Sequence, residues 1–580
     1  MSDCENINRL RSTADTAKLH CRLLFDILLE KGIRDIVLSP GSRNAPLLTA
    51  VACRDFRRHI VTDERRAAFM ALGLAMASGR PTAVVCTSGT ALLNYAPAVA
   101  EAMYQGIPLI VISADRPIEW IDQDDSQTIR QPGILSNIVK GSYDLPVENP
   151  SDPNMEWFVN RTVNEACNLA LSDIKGPVHI NVRINTPLSK TIEYIPSKPR
   201  IIESIDNLDL PAREYERLAA ETAGRKVLVV AGFAAPSASL NRAIAKFSAL
   251  PNVVLMTETL SNLHIKGNPY SVDTALSYLE NLGDKELEKR LAPDIVISVG
   301  GSLVSRKLKE FIRRNKPMQH WTLGDTIPSA DCFKALTRHI DVKPDKFFKG
   351  LNRYAARMNL KKTSEFASDW CGLRDAAQKS HRLYLKKHSG WSEMTAFSRI
   401  LESVPSEWNL FLSNGTTVRY AQLFTDRIPH ASYGCRGVSG IDGTSATALG
   451  CAMAYPSATL LITGDMSFAY DLGVMGVREV PERFKVIVIS NEGGGIFRFI
   501  PSTREIPLRE ELFCADPEIP IKALAEAFGW KYYSASGSEE MDKALPSFMN
   551  CRAKALLEIK VDPQKSADIL IGYMERNKRQ

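Results

Sequence analysis

At 580 residues the chain is too long for one hydrophobic core and should divide into roughly three or four domains. Apolar residues make up 44% and charged residues 24%, an ordinary globular balance, and a net charge of +6 over this length falls far short of the dense basic patches of a nucleic-acid binder. That mild positive bias suits small anionic substrates. No uninterrupted apolar stretch approaches a membrane span, and the polar opening "MSDCENINRLRSTADTAKLH" lacks the apolar core of a signal peptide. Eleven cysteines lie scattered without a CxxC pair, and nine histidines form no HxxxH or HxH pair. Free thiols in a reducing cytoplasm are therefore expected, and a zinc site has little support.

In chain order, short apolar runs ending in Gly, Ser or Asp alternate with longer helical patterns, the signature of parallel sheets with crossover helices. The first block runs "DIVLSPGSRN", "HIVTDERRAAFMALGLAMAS", "TAVVCTSGTALLNYAPAVAEAMYQG", "PLIVISADRP" and "VHINVR". A polar, proline-bearing linker covers 191–212. The second block, 213–345, has "KVLVVAGFAAPS", "VVLMTETLSN", "DIVISVGGSLVSRKL" and "QHWTLGD". A Lys-rich helical connection over 346–392 leads to the third block, 393–580, with "LFLSNGTTVRY", "SYGCRGVSGIDGTSATALG", "TLLITGDMS", "KVIVISNEGGGIF" and "ALLEIKVD". The fold class predicted is α/β, with three doubly wound parallel-sheet domains. Ligands of such sheets bind outside the carboxyl ends of the strands.

Two strand ends in the third block are chemically suggestive. "TGDMSFAYD" follows "SATLLI", and twenty-six residues after its Asp465 comes Asn491 of "SNEGGG", which follows "VIVI". A carboxylate, an amide oxygen and a backbone carbonyl near Gly493 are hard ligands suited to Mg²⁺, which keeps phosphate oxygens and water in its remaining positions. Glycines let a backbone approach a phosphate closely. A pair of ordinary turns would carry the same residues. In the first block "VTDERRAAF" places Glu64 after a strand and at the start of an Ala-rich helix, where an acid also suits the helix dipole.

These motifs resemble thiamine diphosphate-dependent enzymes, which carry GDG, then about 25 to 30 residues, then NN. This chain departs from that pattern at Met466 and Ser490, neither of which is a ligand position. "SPGSRNAPL", "TDERRAAF", "TSGTAL", "SADRPIEWID", "IRQPG", "RGVSGIDGT" and "NEGGGIFRF", in this order, narrow the resemblance to the 2-succinyl-5-enolpyruvyl-6-hydroxy-3-cyclohexene-1-carboxylate synthase family. The resemblance implies a pyrimidine-binding domain (1–190), a central domain and a diphosphate-binding domain (393–580) of the decarboxylase type. It also implies thiamine diphosphate with Mg²⁺ (or Mn²⁺), and a cytoplasmic homodimer or homotetramer with active sites between subunits. The implied reaction is decarboxylation of 2-oxoglutarate and 1,4-addition of the resulting succinyl carbanion equivalent to isochorismate, in menaquinone biosynthesis.

Residue by residue, the resemblance makes Asp465, Asn491 and the Gly493 carbonyl the metal ligands, and has Glu64 hold the aminopyrimidine in its activating tautomer. Asn414, Gly415, Thr416, Gly464, Met466 and Ser467 complete the cofactor contacts. Ile441 would wedge between the two cofactor rings, and Ile496, Phe497 and Ile500 would form an apolar wall. Ser42, Arg43 and Gln127 would face isochorismate, while Arg419 and Arg436 would hold substrate carboxylates, for which a guanidinium fork is suited. Arg306 and Lys307 lie where the family has a basic pair. Gly415 stands where many members have serine. Arg116 and Arg130 read equally as loop-holding ion-pair residues. The nearest alternative is another 2-oxo acid decarboxylase or an acetolactate synthase-like carboligase, which needs fewer arginines because pyruvate has one carboxylate. A catalytically silent scaffold is disfavoured by Glu64, Asp465 and Asn491, and a nicotinamide-binding protein by the lack of a GxGxxG after a strand.

Overall fold

The computed structural model describes residues 11–172, 174–205, 208–265, 271–324, 327, 330–355, 365–424 and 431–576. The first ten residues of the polar opening, 206–207 of the linker and 356–364 of the helical connection lie outside that set. By backbone contacts the chain divides into two compact units. The first comprises Met1–Asp206, Cys435–Pro456 and Asp471–Pro481; the second comprises Asn207–Gly434, Ser457–Tyr470 and Glu482–Gln580.

The first unit holds a six-stranded parallel sheet in the spatial order Arg57–Ile60, Asp35–Leu38, Thr82–Cys86, Leu109–Asp115, Val178–Arg183, Gly141–Leu145. Numbered along the chain from Asp35–Leu38, that order is 2-1-3-4-6-5. Its central strands are buried on both faces, which is why they read as continuous apolar runs. Helix Glu64–Ser78 starts at Asp63, whose side chain accepts from Arg66 N (3.0 Å), and ends at Gly79 in the left-handed region (φ +66°). Helix Thr444–Ala454 packs on it so closely that a Cβ on Gly73 would lie 2.0 Å from the Thr447 carbonyl oxygen, and one on Gly450 2.2 Å from that of Met70. Only glycine permits that approach.

The second unit contains two parallel sheets. One has the order Val253–Thr257, Val227–Ala231, Ile295–Val299, Gln319–Leu323, Leu336–Ile340. Its pleat sorts side chains by parity. Val227, Val229 and Ala231 join Ile295 and Ile297 in one core, while Leu228 and Val230 join Val296 in the other. The other sheet runs Ala431–Tyr433, Asn409–Leu412, Thr459–Gly464, Phe484–Ser490, Ala555–Lys560, Lys531–Ala535, again 2-1-3-4-6-5. Helices Pro344–Ala355 and Phe366–Lys387 lie between them in sequence. The α/β, parallel-sheet fold class is thus observed. Among the described residues ten cysteines are free, and no helix is long and apolar enough to cross a membrane.

Candidate active site

In a 2-1-3 order, strands 1 and 3 send their connections to opposite faces, and their carboxyl ends open a crevice. Both six-stranded sheets have such a point. In the first unit it lies between the ends of Asp35–Leu38 and Thr82–Cys86, so the segments after them, Ser39–Asn44 and Thr87–Thr90, border it. Asn44 shapes the first turn by accepting from Gly41 N (2.9 Å) and donating to the Ser39 carbonyl (2.8 Å). Gly89 takes φ +84°, ψ −138° ahead of helix Thr90–Gln105, a backbone state that suits glycine. Gln131 locks this corner. It accepts from Gly89 N (2.7 Å) and donates to the Ala114 carbonyl (3.0 Å) and to Asn181 (2.8 Å).

A cavity of about 240 Å³ at this corner is lined by Glu64, Ser88, Gly89, Asp125, Gln127 and their neighbours. Glu64 is half-buried in the first turn of its helix, and its charge adds to burial in pushing the Cys86 thiol up. Gln127 is exposed at φ +57°, and Ser42 is exposed. Arg43 is buried, donates to the Ile184 carbonyl (3.1 Å), and is lowered by burial and then by Arg116. Arg116 pairs with Asp125 (2.5 Å) and Arg130 with Asp122 (2.7 Å), so both tie down the 122–130 loop. Arg436, buried, and Ile441, half-buried, also belong to this unit, on the stretch that precedes helix Thr444–Ala454.

The second unit carries the other crevice, between Asn409–Leu412 and Thr459–Gly464. Asn414, Gly415 and Thr416 follow the first strand, and Asp465, Met466 and Ser467 follow the second. Asn491 and Gly493 follow the adjacent strand Phe484–Ser490. The two motifs are bonded directly. One oxygen of Asp465 accepts from Asn491 N (2.9 Å) and Gly493 N (3.0 Å), and the other from Met466 N (2.8 Å). Gly494 N points at Met466 Sδ (2.9 Å), so the methionine that departs from the family motif contacts the glycine loop. The Gly493 carbonyl accepts from Arg498 Nη1 (2.8 Å), which occupies one of its two lone pairs. Phe497 meets Phe513 edge-on at 5.6 Å, and Ile496 and Ile500 are half-buried on the same loop.

Three predicted residues sit differently from a simple strand-end picture. Arg419 lies within helix Thr416–Gln422 and turns back to donate to the Gly415 carbonyl. Arg306 opens helix Arg306–Asn315 with an exposed side chain paired to Glu310 (2.6 Å), while Lys307 pairs with Glu280 (2.5 Å).

Sequence reasoning missed Glu393. It begins helix Glu393–Ser403, where it looks like any first-turn acid. Folding brings its carboxylate to Thr416 Oγ1 (2.6 Å) and Asn491 Nδ2 (3.2 Å), and burial pushes it up to about 7, with the Asp465 charge adding to the effect. Asp465 is itself raised by burial, against the pull of its three backbone amides. The cation whose charge reaches Glu393, Arg498, is already engaged with Glu510 (2.7 Å) and three loop carbonyls, so two buried carboxylates lie together here without an ion-pair partner of their own among the described residues. A divalent cation would answer that excess of negative charge. At Gly415 and Gly464 no heavy atom lies within 4 Å of where a Cβ would sit, so backbone is open to a ligand at both lips of the crevice. The residues present therefore fit a metal-bound diphosphate.

The chain is similar to known proteins over nearly its whole length. The thiamine pyrophosphate enzyme N-terminal TPP binding domain matches residues 21–134, and the thiamine pyrophosphate enzyme C-terminal TPP binding domain matches 414–559. Among curated relatives, the 2-succinyl-5-enolpyruvyl-6-hydroxy-3-cyclohexene-1-carboxylate synthase of Porphyromonas gingivalis is 41% identical over 567 residues, covering 95% of this chain and 96% of the relative. The enzyme of that name from Flavobacterium johnsoniae is 36% identical, covering 95% and 98%. That from Bacteroides fragilis is 34% identical, covering 96% and 98%. The chain belongs to the 2-succinyl-5-enolpyruvyl-6-hydroxy-3-cyclohexene-1-carboxylate synthase family of thiamine diphosphate-dependent enzymes.

Proposed function

We propose that this chain decarboxylates 2-oxoglutarate and adds the succinyl carbanion equivalent to isochorismate in 1,4 fashion. The products are 2-succinyl-5-enolpyruvyl-6-hydroxy-3-cyclohexene-1-carboxylate and CO₂, a step of menaquinone biosynthesis. The observation that carries this reading is the 41% identity to a synthase of that name over 95% of the chain. When bound, thiamine diphosphate supplies the electron sink that makes loss of CO₂ possible.

The chain's own residues bind, orient and balance charge. Asp465, the Asn491 amide oxygen and the free lone pair of the Gly493 carbonyl hold Mg²⁺ (or Mn²⁺). Asn414, Gly415, Thr416, Gly464, Met466 and Ser467 take the diphosphate side, and Glu64 holds the pyrimidine. Ile441 would be the wedge against the cofactor, and Ile496, Phe497 and Ile500 would wall the site against water. Arg419 and Arg436 pair with substrate carboxylates, and Ser42, Arg43 and Gln127 orient isochorismate. Arg306 and Lys307 would bind substrate by turning from Glu310 and Glu280 to a substrate carboxylate. The three sheets serve as pyrimidine-binding (1–190), central (213–345) and diphosphate-binding (393–580) domains.

The active form is a cytoplasmic homodimer or homotetramer in which Glu64 of one subunit and Asp465 of another serve one cofactor. The decisive experiment incubates purified protein with 2-oxoglutarate, isochorismate, thiamine diphosphate and Mg²⁺, with the product identified by mass spectrometry. Absence of the 1,4-adduct would refute the assignment. Mixing inactive Glu64→Gln with inactive Asp465→Ala chains should restore some activity after subunit exchange, and a fully active monomer in sedimentation would contradict the shared site.

A further inference from the structure

The stretch from Gly434 to Gly443 contains no regular hydrogen-bonded element, yet it carries both Arg436 and Ile441. It is also conformationally expensive to order. Gly437, Gly440 and Gly443 lie in it, and Ser439 and Gly443 occupy the left-handed region at φ +63° and +71°. A wedge that must hold a ligand bent cannot sit on a segment that wanders.

Two buried carboxylates grip this stretch, one near each end. Glu101, on helix Thr90–Gln105 and 1% exposed, accepts from Gly437 N (2.6 Å) through one oxygen and from Val438 N (2.7 Å) through the other. Gln105 Nε2 also donates to Glu101 and orients it (2.5 Å). Gly437 lies so tightly on that helix that a Cβ would come within 2.6 Å of the Glu101 carbonyl oxygen. At the far end Asp471, also buried, accepts from Gly443 N (3.2 Å) and Ser445 N (2.9 Å). Bonds from amides to a carboxylate are among the stronger ones a loop can make. Helix Thr90–Gln105 begins at the wall of the Glu64 cavity, so one helix lines that cavity at its start and grips the loop with Glu101 further along.

We infer that Glu101 and Asp471 are positioning residues, a two-point clamp that holds Ile441 and Arg436 in register for the cofactor and the 2-oxoglutarate carboxylate. This rests on the roles proposed above for Ile441 and Arg436. Neither carboxylate has to touch a ligand; each acts through the loop backbone.

The test uses Glu101→Gln and Asp471→Asn, isosteric changes that leave one acceptor oxygen and remove the charge. Amide exchange of the full-length protein without cofactor should rise about tenfold or more at 437–438 in the first variant and at 443–445 in the second. Thiamine diphosphate affinity in the presence of Mg²⁺, read by calorimetry, should fall in both. It should fall non-additively with Ile441→Ala, because the clamp and the wedge act as one unit. The KM for 2-oxoglutarate should rise along with it. Unchanged exchange in both variants overturns the clamp outright. Faster exchange with cofactor losses that add to those of Ile441→Ala also overturns it, since the carboxylates would then be merely structural. If Ile441→Ala alone leaves cofactor affinity unchanged, the wedge role itself fails, and the clamp's functional role falls with it.

Discussion

Glycine at the middle of a helix ordinarily costs about 1 kcal/mol relative to alanine, so Gly→Ala should stabilise unless the Cβ has nowhere to go. This chain contains both cases. Gly372, in helix Phe366–Lys387, has nothing within 4 Å of its would-be Cβ. Gly73, in helix Glu64–Ser78, would place its Cβ 2.0 Å from the Thr447 carbonyl oxygen and 2.9 Å from Cys451 N. Relieving that clash requires helices Glu64–Ser78 and Thr444–Ala454 to part by at least about 1 Å, and a gap of that size forfeits a quarter to a half of each dispersion contact between them. The obstacle is backbone, which cannot swing aside, so the cost belongs in the upper part of the usual overpacking range of about 1–3 kcal/mol. After the helix-propensity gain, Gly73→Ala should lose about 1–2 kcal/mol, whereas Gly372→Ala should gain about 0.5–1 kcal/mol. A chain of this size need not unfold in one step, so urea midpoints should be paired with amide exchange in each helix, which reads local free energies. Gly73→Ala should also lower activity, because its helix carries Glu64 in the first turn. A Gly73→Ala protein as stable as wild type would refute the close-packed helix pair, and a destabilised Gly372→Ala protein would refute the propensity reasoning.

Glu64→Gln should retain cofactor binding while slowing exchange of the thiamine C2 proton by orders of magnitude; exchange at the wild-type rate would reduce Glu64 to a helix-start acid. Arg419→Ala or Arg436→Ala should lower kcat/KM for 2-oxoglutarate by about tenfold or more, with a much smaller effect on a donor lacking the distal carboxylate. Equal losses towards both donors would remove the two arginines from substrate recognition. Stability should also fall on acidification through His179, whose imidazole burial pushes down to about 4 while its ring bonds Ser113 Oγ (2.8 Å). Between the ordinary value near 6.5 and about 4 the unfolded chain binds a proton that the folded chain refuses. The stability is therefore complete above pH 6.5 and is lost as pH falls, by about 3 kcal/mol at most. Urea titrations at pH 7, 6 and 5 should show a shallower acid loss in His179→Asn than in wild type, and parallel losses would contradict the burial argument.

The sequence alone carried the parallel-sheet architecture, because a strand buried on both faces must be apolar throughout and must end where polar or glycine residues begin. "LLITGD" and "VIVISN" therefore announced both the strands and the rim on which Asp465 and Asn491 sit. Local logic placed Glu64 after a strand and at the start of an Ala-rich helix, but there it reads as a helix-start acid, and only the family resemblance singled it out. What depended on distance along the chain was silent. Glu393 is 98 residues from the Asn491 side chain it bonds, and Glu101 is 336 from the Gly437 amide it accepts. Each reads locally as a helical acid, and only the packing that removes water from it makes its carboxylate consequential. The grouping of Cys435–Pro456 and Asp471–Pro481 with the first unit is of the same kind. For Cys435–Pro456 it follows from a glycine-to-carbonyl approach between two helices, and for Asp471–Pro481 from the bonds that Gly443 N and Ser445 N donate to Asp471; no periodicity within either segment encodes its partner.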